Sequence, residues 1–537
     1  MSLEDVIAAL GSYIDAWLPL AATPGVAVAI TDRERTLHVS VHGYRDAAAR
    51  TPLAEDDLFQ IGSVGKGFTS VGLLRLQERG RLSIDDDVTT HLPWFSVRSR
   101  FQPIRLWHLM THTAGIVNGT DWTGEGEYEI RAMRDSEATA APGDLYHYSN
   151  AGYKTLGLVL EALWQRPVAE VLEEDVLGPL GMKSATGSIR NADRRRVATG
   201  HTPYFDDRAW RPSHGLAPAH WIESTTADGS LCASPEDMGR YMRMLLNRGR
   251  GDDGPVLSED SFELMTGRTV DSPEYEEGSR YGLGLLLTDL DGHRCIGHGG
   301  STVGYRCSMR MDVDEGLGVM ALTNGEPDAY PVVRRALQLL RADREGREPP
   351  APPPLPDRVE DAGRYLGTYV SHRGSIALTQ SGGALAVARD GGEGARLLRR
   401  DDDDEFTVDA DEWEPFPLVF RREGSRVESV AHGAEVFVPE GQSLPPASTG
   451  EWEAFEGHFR THDLWYPNVR IVDRGGSLVW ITGGGEEEPL ERLPDGSFRA
   501  GEDPRLPERV RFEERDDGGP VLRVNYSGLD YFRTFTP

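Results

Sequence analysis

Between Arg347 and Asp357 the chain reads Arg-Glu-Pro-Pro-Ala-Pro-Pro-Pro-Leu-Pro-Asp. Proline fixes φ and lacks an N–H, so neither a helix nor an internal strand can run through this stretch. A semi-rigid extended linker is expected instead. Whatever the chain folds into must be assembled separately on the two sides of it. The division that follows is a first block over residues 1–345, the linker at 346–357, and a tail that splits into residues 358–446 and 447–537.

The two sides differ in pattern. In the first block helical periodicity alternates with short apolar runs. Gly25-Val26-Ala27-Val28-Ala29-Ile30, set between Pro24 and Asp32, reads as a buried strand, so this block mixes α and β. The tail is built of short alternating runs such as Ser375-Ile376-Ala377-Leu378 and Val469-Arg470-Ile471-Val472, punctuated by Gly, Asp and Pro, and is read as β throughout. It also repeats. Tyr365-Leu366-Gly367-Thr368-Tyr369 matches Phe455-Glu456-Gly457-His458-Phe459 ninety positions later, and Leu418-Val419-Phe420 corresponds to Val510-Arg511-Phe512. Each copy is expected to close into a small antiparallel barrel, because an open sheet of that length exposes unpaired edges. Asp401 to Glu405 reads as a solvated loop.

The chain has 537 residues and a formal charge of −30. That field repels nucleic-acid phosphate and anionic lipid, so no nucleic-acid and no membrane partner is expected. No apolar run approaches a membrane span, and no arginine precedes Arg33 to make the basic start of a signal peptide. A cytoplasmic location is the expectation. Cys232, Cys295 and Cys307 are too few and too scattered for a disulfide framework and read as buried free thiols. Lysine occurs only at Lys66, Lys154 and Lys183, and the latter two read as surface charges.

Lys66 is different. Leu58-Phe59-Gln60-Ile61-Gly62 reads as strand and turn, and from Ser63 the residues Val64, Phe68, Val71 and Leu74 recur at helical spacing until Gly80. Ser63 and Lys66 then share one face, within mutual reach. A buried lysine loses its proton more readily and can accept that of the serine, while the helix N-terminus favours the anion forming at the hydroxyl. Gly65 and Gly67 each cost on the order of 1 kcal/mol inside a helix and point to close backbone packing around the pair. Ser-x-x-Lys is a short pattern, and two further ones accompany it. Tyr148-Ser149-Asn150 carries a phenol that can relay a proton and an amide that can hold both Lys66 and a substrate amide. His298-Gly299-Gly300-Ser301 has two glycines that would let a substrate lie against a strand edge. Tyr466-Pro467-Asn468 and His372-Arg373-Gly374 show that the last two patterns recur elsewhere, so order and flanks must separate them.

With those flanks the chain resembles the serine β-lactamase-like hydrolases, the group of class C β-lactamases, D-alanyl-D-alanine carboxypeptidases, D-aminopeptidases and related esterases. The segments that carry the resemblance are Phe59 to Lys66, Gly80 to Asp86, Leu109-Met110-Thr111-His112-Thr113-Ala114-Gly115, Pro179 to Met182 and Gly229-Ser230-Leu231, in family order over roughly residues 15–335. The resemblance implies an α/β (α+β) catalytic domain of the β-lactamase/transpeptidase type, an antiparallel sheet flanked by helices with a helical subdomain. It also implies Ser63 as the acylated nucleophile, Lys66 and Tyr148 as the proton-handling pair with the base left open, and Asn150, His298, Gly299 and Gly300 as substrate-binding positions. The backbone N–H groups of Ser63 and Ser301 would form the oxyanion hole, and no metal or cofactor is called for. His298 stands where β-lactamases carry the lysine of Lys-Thr-Gly. The His-x-Gly form, and a catalytic domain followed by two barrels, are similar to D-aminopeptidases.

Other chemistries lack their patterns. His108 and His112 are four apart on a predicted helix, but Leu109 stands where a metalloprotease carries glutamate. Ile61 replaces the first glycine of Gly-x-Ser-x-Gly, and no nucleotide-binding glycine pattern occurs. Three readings remain: a D-amino-acid-directed aminopeptidase or amidase, a carboxylesterase on the same scaffold, and a non-catalytic penicillin-binding or assembly protein. The substrate expected is a small peptide, amide or ester, and assembly as a homo-oligomer is left open. In D-aminopeptidases a loop of the second barrel reaches the active-site mouth. Trp480 to Glu488, with Gly483, Gly484 and Gly485 followed by Glu486, Glu487 and Glu488, is the first candidate to hold a substrate ammonium there, and His462 to Tyr466 is its rival.

Overall fold

The apolar run at Gly25 becomes the spine of the first block. In the computed structural model, which describes residues 2–119, 126–359, 361–400 and 404–534, strand β1 (Gly25–Thr31) is buried along its whole length. Successive side chains of a strand point to opposite faces, and β1 serves two cores at once. Val26, Val28 and Ile30 pack under helices α1 (Leu3–Trp17) and α6 (Tyr330–Glu345), while Ala27 and Ala29 join the larger core on the other side.

β1 lies inside a nine-stranded antiparallel sheet. The other strands are β2 (Thr36–Asp46), β3 (Thr51–Pro52), β4 (Val270–Asp271), β5 (Arg280–Tyr281), β6 (Leu286–Leu290), β7 (His293–Thr302), β8 (Tyr305–Asp312) and β9 (Leu317–Thr323), in spatial order β4-β5-β6-β7-β8-β9-β1-β2-β3. Val28 faces Ala321 of β9 in register, so the first and last thirds of the block meet at its centre. The larger core holds α2 (Gly65–Glu78), α4 (Asn150–Trp164) and α5 (Pro235–Leu246), with α3 (Gly126–Ala132) against α4. The helical segments between α2 and α5 form the subdomain that faces β7.

Beyond α6 the proline stretch carries no helix or strand, yet it is tied to the first block. Leu355 packs against the α1/α6 core, and Arg335 donates to the carbonyl of Pro350 at 2.8 Å. Eight strands from Gly367–Val370 to Glu435–Pro439 then close one barrel, and eight from Gly457–Arg460 to Leu529–Arg533 close a second. The repeated sequences occupy equivalent places. Each barrel opens on a glycine two residues after a buried aromatic, Tyr365 or Phe455, and Leu418–Glu423 and Arg509–Phe512 are both sixth strands.

Several expectations are corrected. Lys154 is not a surface charge: it is 3% exposed and paired with the buried Glu129 at 2.6 Å, because it lies one turn beyond Asn150 on the inward face of α4. Lys183 is exposed. The predicted helix carrying His108 and His112 ends at Met110, and His112 turns away from it with φ of 57°. Of the expected acidic loop, residues 401–403 lie outside the described residues, and Glu405 begins a strand. The three cysteines are buried and unbridged. No described helix is long and apolar enough to cross a membrane.

Candidate active site

The turn before α2 is set by two close approaches. Gly62 has a φ of 49°, and a Cβ on it would fall 2.5 Å from the backbone N and O of Ser301. A Cβ on Gly300 would fall 2.0 Å from the carbonyl of Ile61. Only glycine permits both contacts. They press the Ile61–Ser63 turn onto β7, so the backbone of Ser63 comes beside that of Ser301. The left-handed residue is also why the predicted helix does not begin cleanly at Ser63: Gly62–Val64 form a 3₁₀ turn that leads into α2. Inside α2, a Cβ on Gly67 would strike the Tyr241 hydroxyl at 2.2 Å, so the predicted close packing is met by a tyrosine of α5.

Lys66 lies one turn into this structure and is fully buried. Its Nζ donates to Ser63 Oγ at 2.9 Å, to Asn150 Oδ1 at 2.7 Å and to the carbonyl of Asp228 at 2.9 Å. These distances have a chemical consequence. Three donated bonds are those of an ammonium; once Lys66 gives up a proton, its two remaining N–H bonds can stay on Asn150 and Asp228 and its lone pair faces the Ser63 hydroxyl. Asn150 is held in turn from both ends of its residue. It opens α4, its N–H donates to Asn118 Oδ1 at 3.1 Å, and Ser149 caps the helix by accepting from Gly152 N at 3.1 Å.

Tyr148 precedes that cap, and its ring centroid is 4.9 Å from Lys66 Nζ. His112 stacks behind it at 4.2 Å and accepts from Ser149 N at 3.0 Å through Nδ1. Burial holds His112 well below the usual histidine range, so it backs the tyrosine as a neutral ring. His298 is also neutral. Burial pushes it down to about 3, its Nε2 accepts from the Tyr281 hydroxyl at 2.8 Å, and its Nδ1 donates to the Gly299 carbonyl. The position that carries lysine in β-lactamases therefore presents no cation.

The His298–Ser301 stretch does not form an open edge along its length. Gly299 N donates to the Tyr275 hydroxyl at 3.1 Å, Gly300 meets Ile61, and Ser301 is the residue that reaches the cavity. That cavity is lined by Gln60, Ser63, Asn150, Asp228, Ser301 and Trp465, among others. Trp465 comes from the second barrel, within the stretch read as the rival loop. The first candidate is elsewhere: residues 480–488 do not line the cavity, Glu487 pairs with Arg474, Glu486 with Arg400 at 3.5 Å, and Gly483 abuts the Asp206 carbonyl. A second element of that barrel also touches the site's support. Glu508, 6% exposed, accepts from Asn118 N and pairs with His147 Nε2, each at 3.0 Å. Asn118, Asp228, Tyr281 and Glu508 lie outside the sequence expectation; Asn118 has a local signal, three residues past the Leu109–Gly115 segment, and Asp228 another, immediately before Gly229-Ser230-Leu231.

Comparison with known proteins agrees with this architecture. A family model described as Beta-lactamase matches residues 18–343. Protein Rv1367c of Mycobacterium tuberculosis is 30% identical over 329 residues, 54% of this chain and 80% of that protein. A D-aminopeptidase of Brucella anthropi is 25% identical over 472 residues, 85% of this chain and 82% of that one. Among solved structures, the octameric penicillin-binding protein homologue from Pyrococcus abyssi superposes with a TM-score of 0.59 at 23% identity, covering 82% of this chain and all (100%) of that one, a likeness of fold.

Proposed function

The chain belongs to the Beta-lactamase family of serine hydrolases, and from that premise we propose that it works through an acyl-enzyme on Ser63, as a peptidase or amidase of the D-aminopeptidase type. The observation that carries the reading is the three-way grip on Lys66 Nζ by Ser63, Asn150 and the Asp228 carbonyl. In the first half-reaction Ser63 Oγ attacks the substrate carbonyl and its proton passes to Lys66 Nζ. The oxygen that becomes negative is received by the N–H groups of Ser63 and Ser301, which the Gly62 and Gly300 contacts bring together. Collapse of this intermediate breaks the C–N bond; the departing amine takes a proton from the Lys66/Tyr148 pair. Water then attacks the ester on Ser63, gives up a proton to the same pair, and releases the acid.

Two features support an aminopeptidase over a carboxypeptidase. The neutral, doubly bonded His298 offers no charge for a substrate carboxylate, and a D-aminopeptidase is similar over 85% of the chain. The deciding experiment offers the purified protein p-nitroanilides and p-nitrophenyl esters of both D- and L-amino acids. Hydrolysis of D-aminoacyl anilides, lost in Ser63→Ala and reduced at least about 10²-fold in Lys66→Arg, is expected of a nucleophile and its general base. Turnover of esters alone would assign a carboxylesterase, and unimpaired Lys66→Arg would make Tyr148 the base.

A further inference from the structure

The cavity wall includes a carboxylate, Asp228, one oxygen of which has no partner among the described residues. Asp228 lines it together with Ser63 and Asn150, and is 8% exposed. Its Oδ1 is shut off from solvent and receives no hydrogen bond from any described residue. A buried carboxylate oxygen without a donor is costly, so it persists where something else supplies that donor. Lys154, the lysine of the cavity wall, is paired with Glu129 at 2.6 Å, and Lys66, which bonds Ser63, also bonds the main-chain carbonyl of Asp228. That last contact fixes where the backbone of Asp228 lies. The carbonyl of Asp228 and Ser63 Oγ are both 2.9 Å from the same Nζ, so the carboxylate hangs from backbone anchored beside the nucleophile. Gly229, which follows it, packs on Gly62 so closely that a Cβ there would lie 3.0 Å from the Gly62 carbonyl carbon.

The geometry points to Asp228 as the residue that receives an ammonium group on the acyl part of the substrate. An α-ammonium is two bonds from the carbonyl carbon that Ser63 attacks, so a group recognising it must sit close to the serine, and Asp228 lines the same cavity as Ser63 and Asn150. The acid that the Trp480–Glu488 stretch was expected to supply is thereby found inside the first block. This inference rests on the hydrolase reading and adds the substrate class: aminoacyl amides with a free amine.

The test compares D-alanyl-p-nitroanilide, its N-acetyl form, and Nα-acetyl-D-lysyl-p-nitroanilide, which carries its ammonium on the side chain, in the unaltered protein and in Asp228→Asn. This substitution keeps the shape and the backbone carbonyl while removing the charge. The ratio of free-amine to N-acetylated turnover should fall about 10- to 100-fold, chiefly through KM, as expected for loss of one charge-assisted hydrogen bond. Labelling of Ser63 by a serine-reactive phosphonate should persist. A fall confined to the lysyl compound assigns the carboxylate to a side-chain ammonium; an unchanged ratio for both overturns the proposal. A measurement on the unaltered protein is independent of the variant's folding. D-alaninamide should compete with p-nitrophenyl acetate hydrolysis far better than N-acetyl-D-alaninamide, and equal competition overturns the proposal. Failure of the hydrolase reading is distinct, since then neither acetate turnover nor phosphonate label would appear.

Discussion

The two barrels share strand count, strand order and an opening of aromatic, glycine and aromatic at alternate positions, yet meet the first block in different ways. The first barrel presents Glu414, which pairs with Arg208, Arg211 and His214 on a surface loop. The second also holds that loop, through Arg460 and Arg470 to Asp206 and Asp207, but in addition puts Trp465 into the cavity and Glu508 against His147 and Asn118. Both additions come from loops, at 461–467 and 501–508, and not from the barrel walls. A repeated scaffold can thus be duplicated whole and given a role at a site by altering two connections.

The largest effect that could break this contrast belongs to Glu508. Removing one partner of a buried ion pair strands the other, so Glu508→Ala should cost about 3–5 kcal/mol of the docking of the second barrel. Calorimetry of the full chain should show that loss together with a drop in turnover, because Asn118 positions Asn150. The pair also fixes a pH dependence. Burial works against the charged His147, but Glu508 together with Glu274 and Glu488 outweighs it and raises the histidine above its usual 6.5, so its contribution is present below 6.5 and is lost as pH rises through the raised value. Burial likewise opposes the charged Glu508, but His147 brings it below its usual 4.5, so its contribution is present above 4.5 and is lost as pH falls through the lowered value. Docking should be strongest between those two pH values, with Tm falling by about 2–4 °C on the alkaline side. Glu508→Gln should reduce that part of the change, with Glu274 and Glu488 left beside the histidine.

Trp465→Ala comes next. Removing a half-buried aromatic from the cavity wall should raise KM about 10-fold with little change in kcat, the pattern of lost uniform binding; a loss in kcat alone would mean that the tryptophan acts on the chemistry. The smallest effect is expected of the first barrel. Glu414→Ala should leave kcat/KM within about twofold, as for other ion pairs at partly exposed positions, and a fall like that of Glu508→Ala would erase the distinction between the barrels.

What could be read beforehand depended on how local the physics is. The buried strand at Gly25, the proline break and the repeated barrels are written in consecutive residues. Ser63 and Lys66 were legible because three-residue spacing places them on one face. The residues that complete the site are brought in by tertiary contacts. Nothing in Thr226-Ala227-Asp228-Gly229-Ser230 marks its aspartate as a buried acid, and Glu508 acquires meaning only when its loop meets His147, which is 361 residues distant. Lys154 was misread despite a usable signal: four residues from Asn150 is one helical turn, and the face that points Asn150 inward takes Lys154 with it.

The account stands on one covalent bond. Incubation of the intact protein with a serine-reactive phosphonate, followed by mass spectrometry of its peptides, should find a single adduct, on Ser63, appearing in step with loss of hydrolysis and absent from Ser63→Ala. An adduct on another serine, or full hydrolysis by Ser63→Ala, would contradict it.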